Sequence, residues 1–126
     1  MEPSVSRPVL LVEDSQDVRE AMSAVLEVFR YRVVCARDGL EALTLLRSGL
    51  DPCIILLDLH MPVMDGFQFR AEQLKTQRFL EIPTLVFSGA YDVKRAASFM
   101  EVRDYLQKPI DAVRMIEKVE RHRVHD

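Results

Sequence analysis

Five short aliphatic runs, separated by stretches of helical periodicity, constrain this chain more than its composition does. "PVLLVED", "YRVVCA", "CIILLDLHMPVMDG", "IPTLVFSG" and "RDYLQKP" each join β-branched or aliphatic residues to turn-forming or charged ones. The third and fourth read as strands buried inside a parallel sheet, the first and second as strands, and the last as a brief fifth strand. Between them Val18, Met22, Val25, Leu26 and Phe29 recur at helical spacing, then Leu40, Leu43 and Leu46, then Phe67, Ala71 and Leu74. Asp38 and Glu41 have the spacing of a capping box, with Gly49 beyond that helix's end. A short fourth helix is expected from Asp92, as N-cap, to Met100. A last helix from Ile110 to Arg121 would turn Val113, Ile116 and Val119 inward and Arg114, Glu117, Lys118 and Arg121 outward.

Parallel strands need right-handed crossovers through helices. The expected fold is therefore an α/β, doubly wound, five-stranded parallel sheet of order 2-1-3-4-5 with five helices, flavodoxin-like. One domain is expected over residues 1–126, its core at 7–122. In that order the second and third strands lie roughly 10 Å apart, too far for a Cys35–Cys53 bridge. Both cysteines read as core filler.

At 126 residues the chain can bury a core without metal or disulfide staples. A net charge of −3 argues against direct nucleic-acid binding. The start, "MEPSVSRP", has no apolar signal core, and no stretch approaches the ~20 apolar residues of a membrane span. A cytoplasmic location without membrane contact is expected.

In open α/β sheets ligands bind outside the carboxyl ends of the strands. There this sequence places Glu13 and Asp14, Asp58, Ser88 and Lys108, after the first, third, fourth and fifth strands. Carboxylates about 5 Å apart repel by roughly 3 kcal/mol per pair at an effective dielectric of 20, so the cluster calls for a counter-ion. An all-oxygen set suits Mg²⁺, which readily shares a phosphate oxygen. A carboxylate beside a metal, with a hydroxyl and an ammonium aimed at the same place, suits phosphoryl transfer to that carboxylate.

The acidic pair of "VED", with "DLHMPVMDG", "VFSG" and "YLQKP", resembles a response-regulator receiver domain of the single-domain, chemotaxis-regulator-like kind. The resemblance covers nearly the whole chain. It implies that Asp58 is the phosphoacceptor and that Glu13, Asp14, Asp58 and the main-chain carbonyl of His60 hold Mg²⁺. It makes Ser88 and Lys108 the partners of the phosphoryl group and the backbone N–H groups of His60 and Gly89 its cradle. Ser88 and Tyr105 would form the switch, and the Lys108–Pro109 bond would be cis. Pro62 and Gly66 shape the loop after Asp58, anchored by Met61 and Met64.

The implied function is a phosphoacceptor module of a two-component system. It would be charged by a histidine kinase or histidine phosphotransfer protein, catalyse only its own phosphorylation and slow dephosphorylation, and act on a downstream protein. The alternative is a receiver segment of a longer regulator or hybrid kinase. A haloacid-dehalogenase-like hydrolase would carry a second acid where His60 stands. In such receivers the side chains of His60 and Ala90 tune the lifetime of the phosphoryl group, and Lys94, Arg95, Arg103, Arg114 and Lys118 lie on the usual partner face. The chain departs from the family pattern at Glu101 and Val102, where receivers commonly carry Gly-Ala, and the segment before Tyr105 is slightly short. A truncated fourth helix is expected.

Overall fold

The aliphatic runs form strands β1 (Val9–Val12), β2 (Val33–Ala36), β3 (Ile54–Asp58), β4 (Thr84–Ser88) and β5 (Asp104–Gln107). All pair in parallel, in the order β2-β1-β3-β4-β5. The computed structural model describes residues 7–90 and 92–125. Residues 1–6, on which the expected lack of an export signal falls, lie outside the described residues.

Side chains alternate across a strand, so each central strand feeds two core layers. Leu10, Val12, Ile55, Leu57 and Val86 face one layer, Val9, Leu11, Ile54, Leu56, Leu85 and Phe87 the other. Helices α1 (Gln16–Val28) and α6 (Ala112–His122) cover the second layer with Met22, Leu26, Met115 and Val119. Helices α2 (Gly39–Arg47), α3 (Gly66–Gln73), α4 (Gln77–Leu80) and α5 (Val93–Met100) cover the first.

There are thus six helices among the described residues, not five. The added one, α4, spans four residues, too few to show a period, and sets Phe79 into the core. On α3 the apolar stripe lies on the wrong face: Phe67, Ala71 and Leu74 are exposed, whereas Phe69 and Gln73 are buried. Gln73 can occupy a core position because its amide donates to Phe79 O and Thr84 Oγ1, both at 3.0 Å. Phe29, Leu40 and Val113 are likewise exposed rather than inward. Lys118 turns inward and is half-buried. Cys53 is buried as expected, but Cys35 is exposed because β2 is an edge strand, and no disulfide joins the two.

Asp38 caps α2 by accepting from Glu41 N at 2.8 Å, but the Glu41 side chain reaches Arg37 N rather than closing a box. Asp65 and Gln68 form the reciprocal box, at the start of α3. At the far end of α2, Gly49 takes φ +109°, and Gly49 N and Leu50 N donate to Leu46 O and Leu45 O, the bonding of a Schellman stop. Helix α5 has the expected bounds and is eight residues long. It stops at Glu101, which holds φ +57° without being glycine. The Arg70 guanidinium secures that end, donating to Met100 O at 3.1 Å and Glu101 O at 2.9 Å.

Candidate functional site

Strand register delivers the site. β1 ends beside β3, so Glu13 and Asp14 emerge next to Asp58, and the parallel β4–β5 pair brings Ser88 and Lys108 to the same edge. One carboxylate oxygen from each of Glu13, Asp14 and Asp58 lies within 4.8 Å of the others. Glu13 and Asp58 are buried at 1% and 2% exposure, while Asp14 is exposed. Lys108 Nζ lies 3.0 Å from Glu13 Oε1 and 3.4 Å from Asp58 Oδ2. It also stands 5.4 Å from the Phe87 ring centroid.

One ammonium faces three carboxylates, and the pKa directions follow. Burial first, then the hydrogen bond and charge of Glu13, push the Asp14 carboxyl up. Partial burial pulls the Lys108 ammonium down, but its contacts with Glu13 and Asp58 outweigh burial and raise it. Glu13 Oε2 accepts from Ser15 N at 3.0 Å. Among the described residues no aligned donor reaches the buried Glu13 Oε1, since the lysine, though 3.0 Å away, stands off hydrogen-bond geometry. A buried anionic oxygen in that condition, within an all-oxygen set, fits a hard divalent cation such as Mg²⁺.

Asp58 Oδ1 accepts from His60 N at 3.4 Å, and the His60 side chain is exposed. Gly66 sits where an added Cβ would stand 2.6 Å from Asp58 O and 2.9 Å from Leu59 Cα, so only glycine fits the return of the loop. Between them Met64 N donates to Pro62 O at 2.7 Å, and Val63 takes φ +68°, a strained position for a β-branched residue. Met61 and Met64 pack on the core as anticipated. The Lys108–Pro109 bond is cis.

Ser88 is fully buried, and its Oγ accepts from Ala90 N at 3.0 Å, within its own loop. Gly89 is exposed on that loop. Tyr105 is half-buried against the first core layer, under Lys118, whose Nζ is 4.6 Å from the ring centroid. Lys94, Arg95, Arg103 and Arg114 are exposed.

Two contributors escape a reading of strand ends. Arg19 Nη1 donates to Glu13 O at 2.8 Å and Asp14 O at 3.0 Å, fixing the turn that presents both acids. Gln107 Nε2 donates to Ser88 O at 3.3 Å and Ala90 O at 3.0 Å, tying the serine loop to β5. The nearest signal was their position, Arg19 early in α1 and Gln107 directly before Lys108.

Comparison with known proteins gives the same picture. A model of the response regulator receiver domain family matches residues 9–120. The chain is 31% identical over 124 residues to an uncharacterized 14.6 kDa protein in the sodA1 3′ region of Leptolyngbya boryana, covering 97% of this chain and 94% of that one. It is 32% identical over 104 residues to the two-component response regulator ORR5 of Oryza sativa subsp. japonica, covering 81% and 78%. It spans less than half the length of several other curated relatives, among them a protein-glutamate methylesterase/protein-glutamine glutaminase of Rhodospirillum rubrum, of which it covers 31% at 34% identity. Among solved structures, a response regulator receiver protein from Pseudomonas putida superposes with a TM-score of 0.83 at 28% identity, covering 93% of this chain and 98% of that one. Chemotaxis response regulator CheY4 of Vibrio cholerae gives 0.81 at 27%, covering 91% and 97%. With the family's pattern running from the first strand into the last helix, the chain belongs to the response regulator receiver domains of two-component systems.

Proposed function

We propose that this chain accepts a phosphoryl group on Asp58 from a phosphohistidine and switches the binding of a partner protein through Ser88 and Tyr105. The observation that carries the reading is the bridging of two buried carboxylates by Lys108, at 3.0 Å from Glu13 and 3.4 Å from Asp58. One Asp58 oxygen attacks phosphorus, the phosphorus–nitrogen bond breaks, and the departing imidazole keeps the bond's electron pair and takes up a proton. Water later cleaves the acyl phosphate, returning the carboxylate and inorganic phosphate.

Glu13, Asp14, Asp58 and the His60 carbonyl would hold Mg²⁺, which when bound neutralises charge on the phosphoryl oxygens. Lys108 adds a second positive charge, and the backbone N–H groups of His60 and Gly89 supply donors. Ser88 Oγ leaves Ala90 N to bond the phosphoryl group, and Tyr105 follows the change. A small Ala90 leaves water a path to the phosphorus. Receiver domains of two-component systems interact with histidine kinases or phosphotransfer proteins. An apolar cleft of about 340 Å³ between α1 and α6, lined by Val18, Ala21, Met22, Ile110 and Met115 with Lys108 at its edge, suits docking of such a donor. We further propose that residues 7–122 act as one receiver domain in the cytoplasm. Among the described residues no helix is long and apolar enough to cross a membrane.

The test is intact-protein mass after incubation with acetyl phosphate, with and without Mg²⁺. A single Mg²⁺-dependent phosphoryl adduct, absent in Asp58→Asn, is expected. An adduct that persists in the variant would reject Asp58 as the acceptor.

A further inference from the structure

Lys118 lies on the face of α6 where partners usually meet receivers, yet its ammonium is spent inside the molecule. It donates to Asp104 Oδ1 at 2.9 Å and to Tyr105 O at 2.6 Å, and stands 4.6 Å from the Tyr105 ring centroid. Asp104 completes the enclosure. Its Oδ1 also accepts from Tyr105 N at 2.8 Å, and its Oδ2 lies 3.0 Å from His122 Nε2. Both side chains of the central ion pair are largely sheltered, at 16% and 18% exposure. Tyr105 is thereby held at its N–H, its carbonyl and its ring face by one ion pair.

We propose that Lys118 is a positioning residue that holds the Tyr105 ring in its resting rotamer and so restrains phosphorylation of Asp58. The inference rests on the switch role of Tyr105 given above. A rotamer change moves the ring into a different well, away from a cation fixed on α6 by Asp104. The resting position keeps the cation–π contact and the moved position loses it, so Lys118 favours the first. Release of the ring should raise the population that accepts phosphate.

The experiment measures the rate of Asp58 adduct formation from acetyl phosphate in the parent, Lys118→Met, Lys118→Arg, Tyr105→Ala and the Lys118→Met/Tyr105→Ala double variant. Carbon-13 resonances of the Tyr105 ring are followed where the ring is present. Lys118→Met should phosphorylate about two- to five-fold faster, the range expected from loss of one cation–π contact, with a shifted Tyr105 resonance. Lys118→Arg should restore the parent values, since a guanidinium also stacks on a ring. In the Tyr105→Ala background the methionine substitution should change nothing. Should the rate gain persist there, or the tyrosine resonance stay in place, the positioning role is overturned while the switch reading stands. A Tyr105→Ala variant that phosphorylates at the parent rate overturns both. Should Lys118→Met unfold, Lys118→Gln carries the same comparison.

Discussion

A cluster of three carboxylates and a single carboxylate elsewhere sit at opposite extremes of electrostatic satisfaction. At the carboxyl edge of the sheet, among the described residues, Glu13, Asp14 and Asp58 share one ammonium, Asp14 is pushed up, and a buried oxygen of Glu13 has no aligned donor. On the flank of α6, Asp104 alone receives Lys118, His122 and the Tyr105 N–H. Burial pushes the Asp104 carboxyl up, but these donors outweigh it and hold the group below its ordinary value. A second satisfied group lies at the end of α6, where Tyr31 hydrogen-bonds Glu120 and Arg123 donates to both. There burial and the bond to Glu120 push the Tyr31 hydroxyl up to about 12. Charges balanced within the fold hold it together, whereas charges left in excess are available to a ligand.

The largest effect should come from supplying the missing charge. Saturating Mg²⁺, at a hundredfold excess over its Kd, should stabilise the parent by about 2.7 kcal/mol in denaturant titrations. The gain should nearly vanish in an Asp14→Asn/Asp58→Asn variant and survive in Asp104→Asn. A parent that gains nothing would remove the ground for calling the three-carboxylate cluster a cation site.

Single neutralisations should then have opposite signs. Asp104→Asn leaves a half-buried ammonium without its counter-ion and should cost about 1–2 kcal/mol at neutral pH. Asp58→Asn removes repulsion and leaves Lys108 paired with Glu13, so the metal-free domain should lose nothing and gain up to about 1 kcal/mol. Thermal melts of the two variants without metal read this directly. A loss in both would erase the contrast.

The smallest effect is in acid. The folded Asp104 pKa lies below its ordinary 3.8, so its stabilisation is complete above that value and is lost as pH falls through the folded pKa. The stability gap between parent and Asp104→Asn should therefore close below about pH 4. A gap that stays constant through that range would show that the lost stability came from packing rather than charge.

The site was more legible than the helix faces. Asp58 and the acidic pair could be located because each ends or directly follows a strand whose aliphatic run is unmistakable, Lys108 because it stands before Pro109 at the end of the brief fifth strand, and register does the rest. α3 was misread because its core position is filled by Gln73, a polar residue that is acceptable only after Phe79 and Thr84 satisfy its amide. Arg70 at the end of α5 poses the same problem in reverse, since nothing near Glu101 in the sequence announces that a guanidinium from α3 will bind its carbonyl.

The sequence by itself determined the order of the strands and of the five longer helices, the sheet edge where the acids gather and their surplus of negative charge. These depend on local periodicity and on the handedness of crossovers, which short stretches of chain encode. Only the tertiary structure decided which cation each acid meets: Lys108 for Glu13 and Asp58, Lys118 and His122 for Asp104. An ion pair between elements has no period to betray it, because its partners are brought together by packing and not by their spacing along the chain.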